Sequence, residues 1–119
     1  MQTLPNTLNS QEDTLTVYIS GEIDHHSAKG MREQADSEIL RTRPKEIILN
    51  FKAVTFMDSS GIGLIMGRYK LASSFGARVI IEDASSYLRR VMRLAGLDTI
   101  VTITQSKKEE ESKCSVITL

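Results

Sequence analysis

The fold is decided by Ile47-Ile48-Leu49-Asn50-Phe51, by Phe56-Met57-Asp58-Ser59-Ser60-Gly61-Ile62-Gly63 after it, and by Val79-Ile80-Ile81 further on. The first and last are short, almost continuous apolar runs, the pattern of strands covered on both faces. Between them, Ser60 to Phe75 sets Ile62, Ile65, Tyr69 and Ala72 along one helical stripe, and Gly76 stands where a helix C-cap belongs. Strand, helix and strand in that order make a crossover unit, which is right-handed in nearly all proteins.

Working upstream, Thr14 to Ser20 alternates, with Leu15, Val17 and Ile19 on one face and Thr14, Thr16, Tyr18 and Ser20 on the other. That predicts a half-buried strand. The weaker segment Thr7-Leu8-Asn9 is a candidate hairpin partner for it. Gly21 is expected to break the strand, and Asp24 to cap a helix running from His25 to about Arg41, whose inward residues are Ala28, Met31, Ala35 and Ile39. Pro44 stops that helix from continuing. Downstream, Ala84 to Ala95 predicts a third helix with Leu88, Val91 and Ala95 inward and Arg89, Arg90 and Arg93 mostly outward. Ile100 to Thr104 alternates again as an edge strand. The order β(β)αβαβαβ is that of an α/β domain. From Gln105 the composition changes: Lys107 to Glu111 is a charge block and Ser115 to Leu119 a short apolar end. A frayed helix and a mobile tail both fit it.

Composition narrows the function classes. Lys plus Arg number 15 and Asp plus Glu 15, so no net charge draws the chain to nucleic acid or to an anionic membrane. Met1 to Asp13 has neither a basic start nor an apolar stretch, so no signal peptide is read there, and no apolar run approaches the ~20 residues of a membrane span. Cys114 is the only cysteine, which excludes an intramolecular disulfide and suits a reducing cytoplasm. The expectation is a soluble cytoplasmic protein of one domain, since a chain of this size buries roughly 65% of its unfolded surface in a single core.

Chemistry concentrates at two places. Two glycines in the first turn after Ser59 cost a helix about 1 kcal/mol each against alanine, so helix stability does not explain them. They allow close approach and leave the Ser59 hydroxyl uncrowded, at a helix start whose free N–H groups favour an anion. The plainer reading makes Asp58 or Ser59 an ordinary N-cap, with Gly63 and Gly67 seating the helix on the sheet. The second place is Gly21-Glu22-Ile23-Asp24-His25-His26-Ser27, at what should be the same sheet edge, so that both helix starts form one surface. His25 and His26 are adjacent, point to different sides of a helix and cannot chelate together; no metal site is expected. Arg89, Arg90 and Arg93 read as a solvated helix face.

An enzyme reading is also open to test. Gly61, Gly63 and Gly67 resemble a dinucleotide fingerprint, with Glu82 and Asp83 about 20 residues on as a ribose-binding acid. Their G-x-G-x-x-x-G spacing is wrong for it, and about nine residues between Phe51 and Gly61 is too loose for a phosphate-binding turn. There is no room for a substrate domain, no G-x-S-x-G elbow, and no P-loop.

Three segments together, Gly21-Glu22-Ile23-Asp24-His25-His26-Ser27-Ala28, Phe56-Met57-Asp58-Ser59-Ser60-Gly61-Ile62-Gly63 and Gly67-Arg68-Tyr69-Lys70, resemble the STAS-domain anti-sigma factor antagonists, the sporulation type most closely. The resemblance runs from about Thr14 to Val101 and takes in Leu94-Ala95-Gly96-Leu97. It implies a single STAS-like domain over residues 1–104, a small mixed β-sheet packed with three to four α-helices, with residues 105–119 as a charged tail or short terminal helix. It also implies a mechanism. The unphosphorylated antagonist binds an anti-sigma factor that is itself a serine kinase, and a sigma factor is freed. The kinase spends its own ATP on Ser59, the antagonist lets go, and a protein serine phosphatase resets it. The chain is then no enzyme and has no cofactor of its own. The implied partner surface comprises Asp24, His25, Ser27, Asp58, Ser59, Ser60, Gly61, Ile62 and Gly63. The alternative is a STAS-like binding module that is not phosphorylated and serves another complex. The family's usual Ala- and Leu-bearing terminal helix is not visible in Lys107 to Leu119, so no function is carried onto that tail.

Overall fold

The computed structural model describes residues 13–106 and 114–119. Five strands, β1 (Thr14–Ile23), β2 (Glu46–Met57), β3 (Arg78–Glu82), β4 (Thr102–Thr104) and β5 (Cys114–Thr118), alternate with three helices, α1 (His25–Thr42), α2 (Ser59–Ser73) and α3 (Ser86–Leu94). The sheet order is β4-β3-β2-β1-β5. The α/β architecture is as the sequence predicts. In place of a mixed sheet, all pairings among the described residues are parallel; the candidate hairpin partner Thr7–Asn9 lies outside them.

From β1 to β4 the chain steps across the sheet in one direction, so right-handed crossovers set all three helices on one face. That face carries Leu15, Val17 and Ile19 of β1, Ile47, Leu49 and Phe51 of β2, and Val79 and Ile81 of β3. They form one cluster with Ala28 and Ile39 of α1, Leu64, Ile65 and Ala72 of α2, and Leu88 and Met92 of α3. The other face is mixed: Tyr18, Asn50, Glu82 and Thr104 stand in one cross-strand row, where the buried Asn50 amide donates to Glu82 Oε1 at 2.9 Å.

Four local expectations need correction. Gly21 does not end β1: it takes φ +78° inside the strand, a backbone that costs other residues roughly 1–2 kcal/mol, and β1 continues to Ile23. β2 runs to Met57 rather than stopping near Phe51. Its register against β1 shifts twice, between Tyr18 and Ser20 and between Gly21 and Glu22, so two bulges each add a residue to β2. The inward residues are accordingly Phe51, Val54 and Met57, three apart, a spacing that hides the strand's period of two. In α3 Leu88 is buried and Val91 packs half-buried against the core as expected, but Met92 takes the second fully buried place and Ala95 is the exposed C-cap, because the helix ends at Leu94. At the chain's end, Cys114–Thr118 is a strand rather than a helix or free tail. It pairs along Thr14–Tyr18 and covers an edge of β1 that would otherwise be open.

Candidate functional site

Because β1 and β2 are parallel and Ile23 pairs with Met57, the residues after them leave the sheet side by side. Adjacent strands lie about 4.8 Å apart. The Asp58 N–H donates to the Ile23 carbonyl at 3.1 Å, which ties the two exits together. Asp24 and Asp58 then cap α1 and α2, so both helix N-termini open on one surface, as the sequence leads one to expect.

At the first exit, the Ser27 N–H donates to Asp24 Oδ1 at 2.9 Å and the Asp24 N–H donates to Ser27 Oγ at 3.0 Å. This reciprocal box satisfies two helix-start groups at once. The Ser27 hydroxyl also donates to the Glu22 carbonyl at 2.9 Å. Ser27 therefore has a structural task. The bond from the Ser27 N–H, more than any other contact, holds the Asp24 carboxyl below the usual carboxylate range. At the second exit, the Ser60 N–H donates to Asp58 Oδ1 at 2.7 Å. Ser59 follows as the first residue of α2 and is exposed; Asp58 is exposed and Ser60 half-buried.

The glycines have distinct roles. Gly61 is buried, and a Cβ there would lie 2.7 Å from Met57 Sδ and 2.8 Å from Met57 Cβ. It is glycine so that the first turn of α2 can rest on a core side chain. Gly63 and Gly67 would meet nothing within 4 Å, so they do not seat the helix on the sheet. The strand's extension to Met57 removes the spacing objection to a dinucleotide turn, while the G-x-G-x-x-x-G spacing of Gly61, Gly63 and Gly67 still departs from that fingerprint. Glu82 and Asp83 are engaged as well: both accept from Asn50, and Asp83 accepts the Ser106 N–H at 2.7 Å.

Between α1 and α2 runs a groove of about 490 Å³, lined by His25, His26, Ala28, Lys29, Arg32, Ser60, Gly63 and Leu64. The two histidines border this one concavity together. Lys29 and Arg32 were not singled out in the sequence, although they follow His25 by four and seven residues, the spacing of one helix face. Ile62 is half-buried at the edge of the core, and Phe56, two residues before Asp58, is an exposed aromatic (43%) beside the site.

The two helices are locked further along. Arg68 of α2 is buried (4% exposed), and its Nε lies 2.7 Å from Asp36 Oδ1 of α1. A second nitrogen, Nη1, donates to the Leu64 carbonyl at 3.2 Å. Burial lowers the guanidinium from its ordinary value, and Asp36 works against that shift.

The geometry is thus a parallel sheet with its helices on one face and two aspartate-capped helix starts at one edge. A family model described as the STAS domain matches residues 7–110, and the chain belongs to the STAS-domain family. Among its relatives, the anti-sigma F factor antagonist of Paenibacillus polymyxa is 36% identical over 103 residues, covering 87% of this chain and 88% of that one. The anti-sigma-B factor antagonist of Bacillus subtilis is 31% identical over 97 residues, covering 82% and 87%. Among solved structures, the Bacillus cell fate determinant SpoIIAA in its phosphorylated form superimposes with a TM-score of 0.65 at 29% identity, covering 83% of this chain and 87% of that one. No described helix is long and apolar enough to cross a membrane.

Proposed function

We propose that this chain is an anti-sigma factor antagonist whose unphosphorylated form binds an anti-sigma factor with serine kinase activity, releasing a sigma factor, and that phosphate on Ser59 ends the binding. The observation that carries the reading is the exposed Ser59 at the start of α2, with Asp58 beside it and Asp24 capping the neighbouring helix. The names of the relatives support the antagonist role. The partner kinase brings the ATP, and a protein serine phosphatase restores the free hydroxyl.

Phosphorylation adds about −1.5 to −2 charges at pH 7. At the N-terminus of α2 the helix dipole accepts that charge, so the fold has no need to change. What changes is the surface, where the new charge joins Asp24 and Asp58 and adds bulk to a close contact. A loss of about 2.7 kcal/mol in binding is already a factor of about 100 in affinity.

The test is intact mass before and after incubation with the anti-sigma factor kinase and ATP, followed by peptide mapping. One phosphate on Ser59, with release of the complex, is the expected result. A complex that persists unmodified in ATP would favour the unphosphorylated binding module instead, and a phosphate on Ser60 would move the switch by one residue.

A further inference from the structure

We infer that the groove between α1 and α2 receives an acidic segment of the anti-sigma factor, with one or two of its carboxylates against Lys29 and Arg32; this rests on the antagonist function proposed above. The groove's volume of about 490 Å³ suits one or two inserted side chains. Its floor is apolar and buried, formed by Ala28 and Leu64. Lys29 and Arg32 stand on the α1 wall with the two imidazoles, and Ser60 and Gly63 form the α2 wall.

The charge is segregated. The chain carries 15 acidic and 15 basic side chains, yet none of the groove's lining residues is a carboxylate. Of the carboxylates nearest this stretch of α1, Asp24 accepts the Ser27 N–H, Asp36 is 2.7 Å from Arg68, and Glu33 is exposed and lines a different concavity with Gln34 and Ser37. The two helix N-termini at this end are already capped by Asp24 and Asp58, so the positive charge that lines the groove is that of Lys29 and Arg32. An anion is the ligand that such walls recognise. The groove shares its Ser60 wall with the helix start that bears Ser59, so a partner that covers Ser59 also covers the groove. At Gly63 the space a Cβ would take is open, and an incoming side chain can use it.

The experiment measures binding of the full, unphosphorylated chain to the anti-sigma F factor of Paenibacillus polymyxa with ADP, by calorimetry. Reversing both charges, Lys29→Glu with Arg32→Glu, should raise Kd at least about 30-fold, and each single reversal about 5- to 10-fold. Parent affinity should fall as salt rises from about 50 to about 300 mM, and the double variant should lose that dependence. Arg90→Glu, on the exposed side of α3, should bind as the parent does. The proposal is overturned if the double variant binds within about twofold of the parent, or if Arg90→Glu weakens binding as much. If Ser59→Asp abolishes binding while the double variant retains it, the groove falls and the antagonist reading stands. If the parent does not bind this relative's partner, the titration is repeated with the anti-sigma factor kinase of this chain's own organism, and failure to bind that overturns both.

Discussion

Replacing the three glycines of α2 by alanine, one at a time, should give three different outcomes from the same chemical change. Alanine gains about 1 kcal/mol over glycine in a helix interior. At Gly67, where a Cβ meets nothing within 4 Å, that gain should appear nearly whole, as a rise in Tm of about 4 °C. At Gly61 the new Cβ would lie 2.7–2.8 Å from Met57 Sδ and Cβ, and Met57 is itself 97% buried by its 3% exposure. Overpacking of this kind costs about 1–3 kcal/mol, so the variant should be net destabilised by up to about 2 kcal/mol. Met57→Ala should not rescue it, because the Cβ contact remains. Gly63→Ala should be stabilised like Gly67→Ala but should bind the partner more weakly, since its methyl projects into the groove. Urea unfolding of the four proteins, with partner binding measured on each, is the assay. Equal stability of Gly61→Ala and Gly67→Ala would refute the close contact with Met57, and equal binding by Gly63→Ala and the parent would place the partner elsewhere.

The Ser59 pair should order oppositely in stability and affinity. Ser59→Asp should be at least as stable as Ser59→Ala, because the α2 dipole favours its charge, yet it should bind the anti-sigma factor less well; equal affinities in a pull-down titration would remove charge at Ser59 as the switch. At the α1–α2 lock, Asp36→Asn leaves a buried guanidinium uncompensated and should cost about 2–4 kcal/mol in chemical unfolding. Arg68→Met keeps the stem's packing and leaves a carboxylate that is one third exposed, so it should cost less; the reverse order would refute the assignment of the buried charge. In acid, Asp24 is held below its ordinary value by the Ser27 N–H. Asp83 is too: burial alone would raise it, but the Ser106 and Asn50 bonds and the Lys52 charge prevail. Both contribute stability that is whole above the unfolded carboxylate pKa of about 3.9 and is lost as pH falls through the lower folded values. The variant with Asp24→Asn and Asp83→Asn should show a flatter dependence of stability on pH below about 4.

Local chemistry made much of this protein legible from its residues. Leu15, Val17 and Ile19 alternate because one face of β1 is wet, and Asp24 announces a helix because a short carboxylate reaches a free N–H three residues on. These signals act within a few residues, and with the βαβ order they suffice for the fold class and for two helix starts at one sheet edge. What the sequence could not show were pairings made at long range. The bulges in β2 exist only against β1, so the inward spacing of Phe51, Val54 and Met57 matches no local period and reads as a loop. Gly21 looks like a breaker because its positive φ is useful only inside a strand already held by a neighbour. Cys114–Thr118 becomes a strand because Thr14–Tyr18 offers an open edge a hundred residues away in the chain. Arg68 has the sequence of a surface residue, and only the packing of α2 on α1 brings Asp36 to it and lets it be buried. The groove of His25, His26, Lys29 and Arg32 belongs to the same class: its residues lie on one helix, but a second helix is needed before they enclose anything.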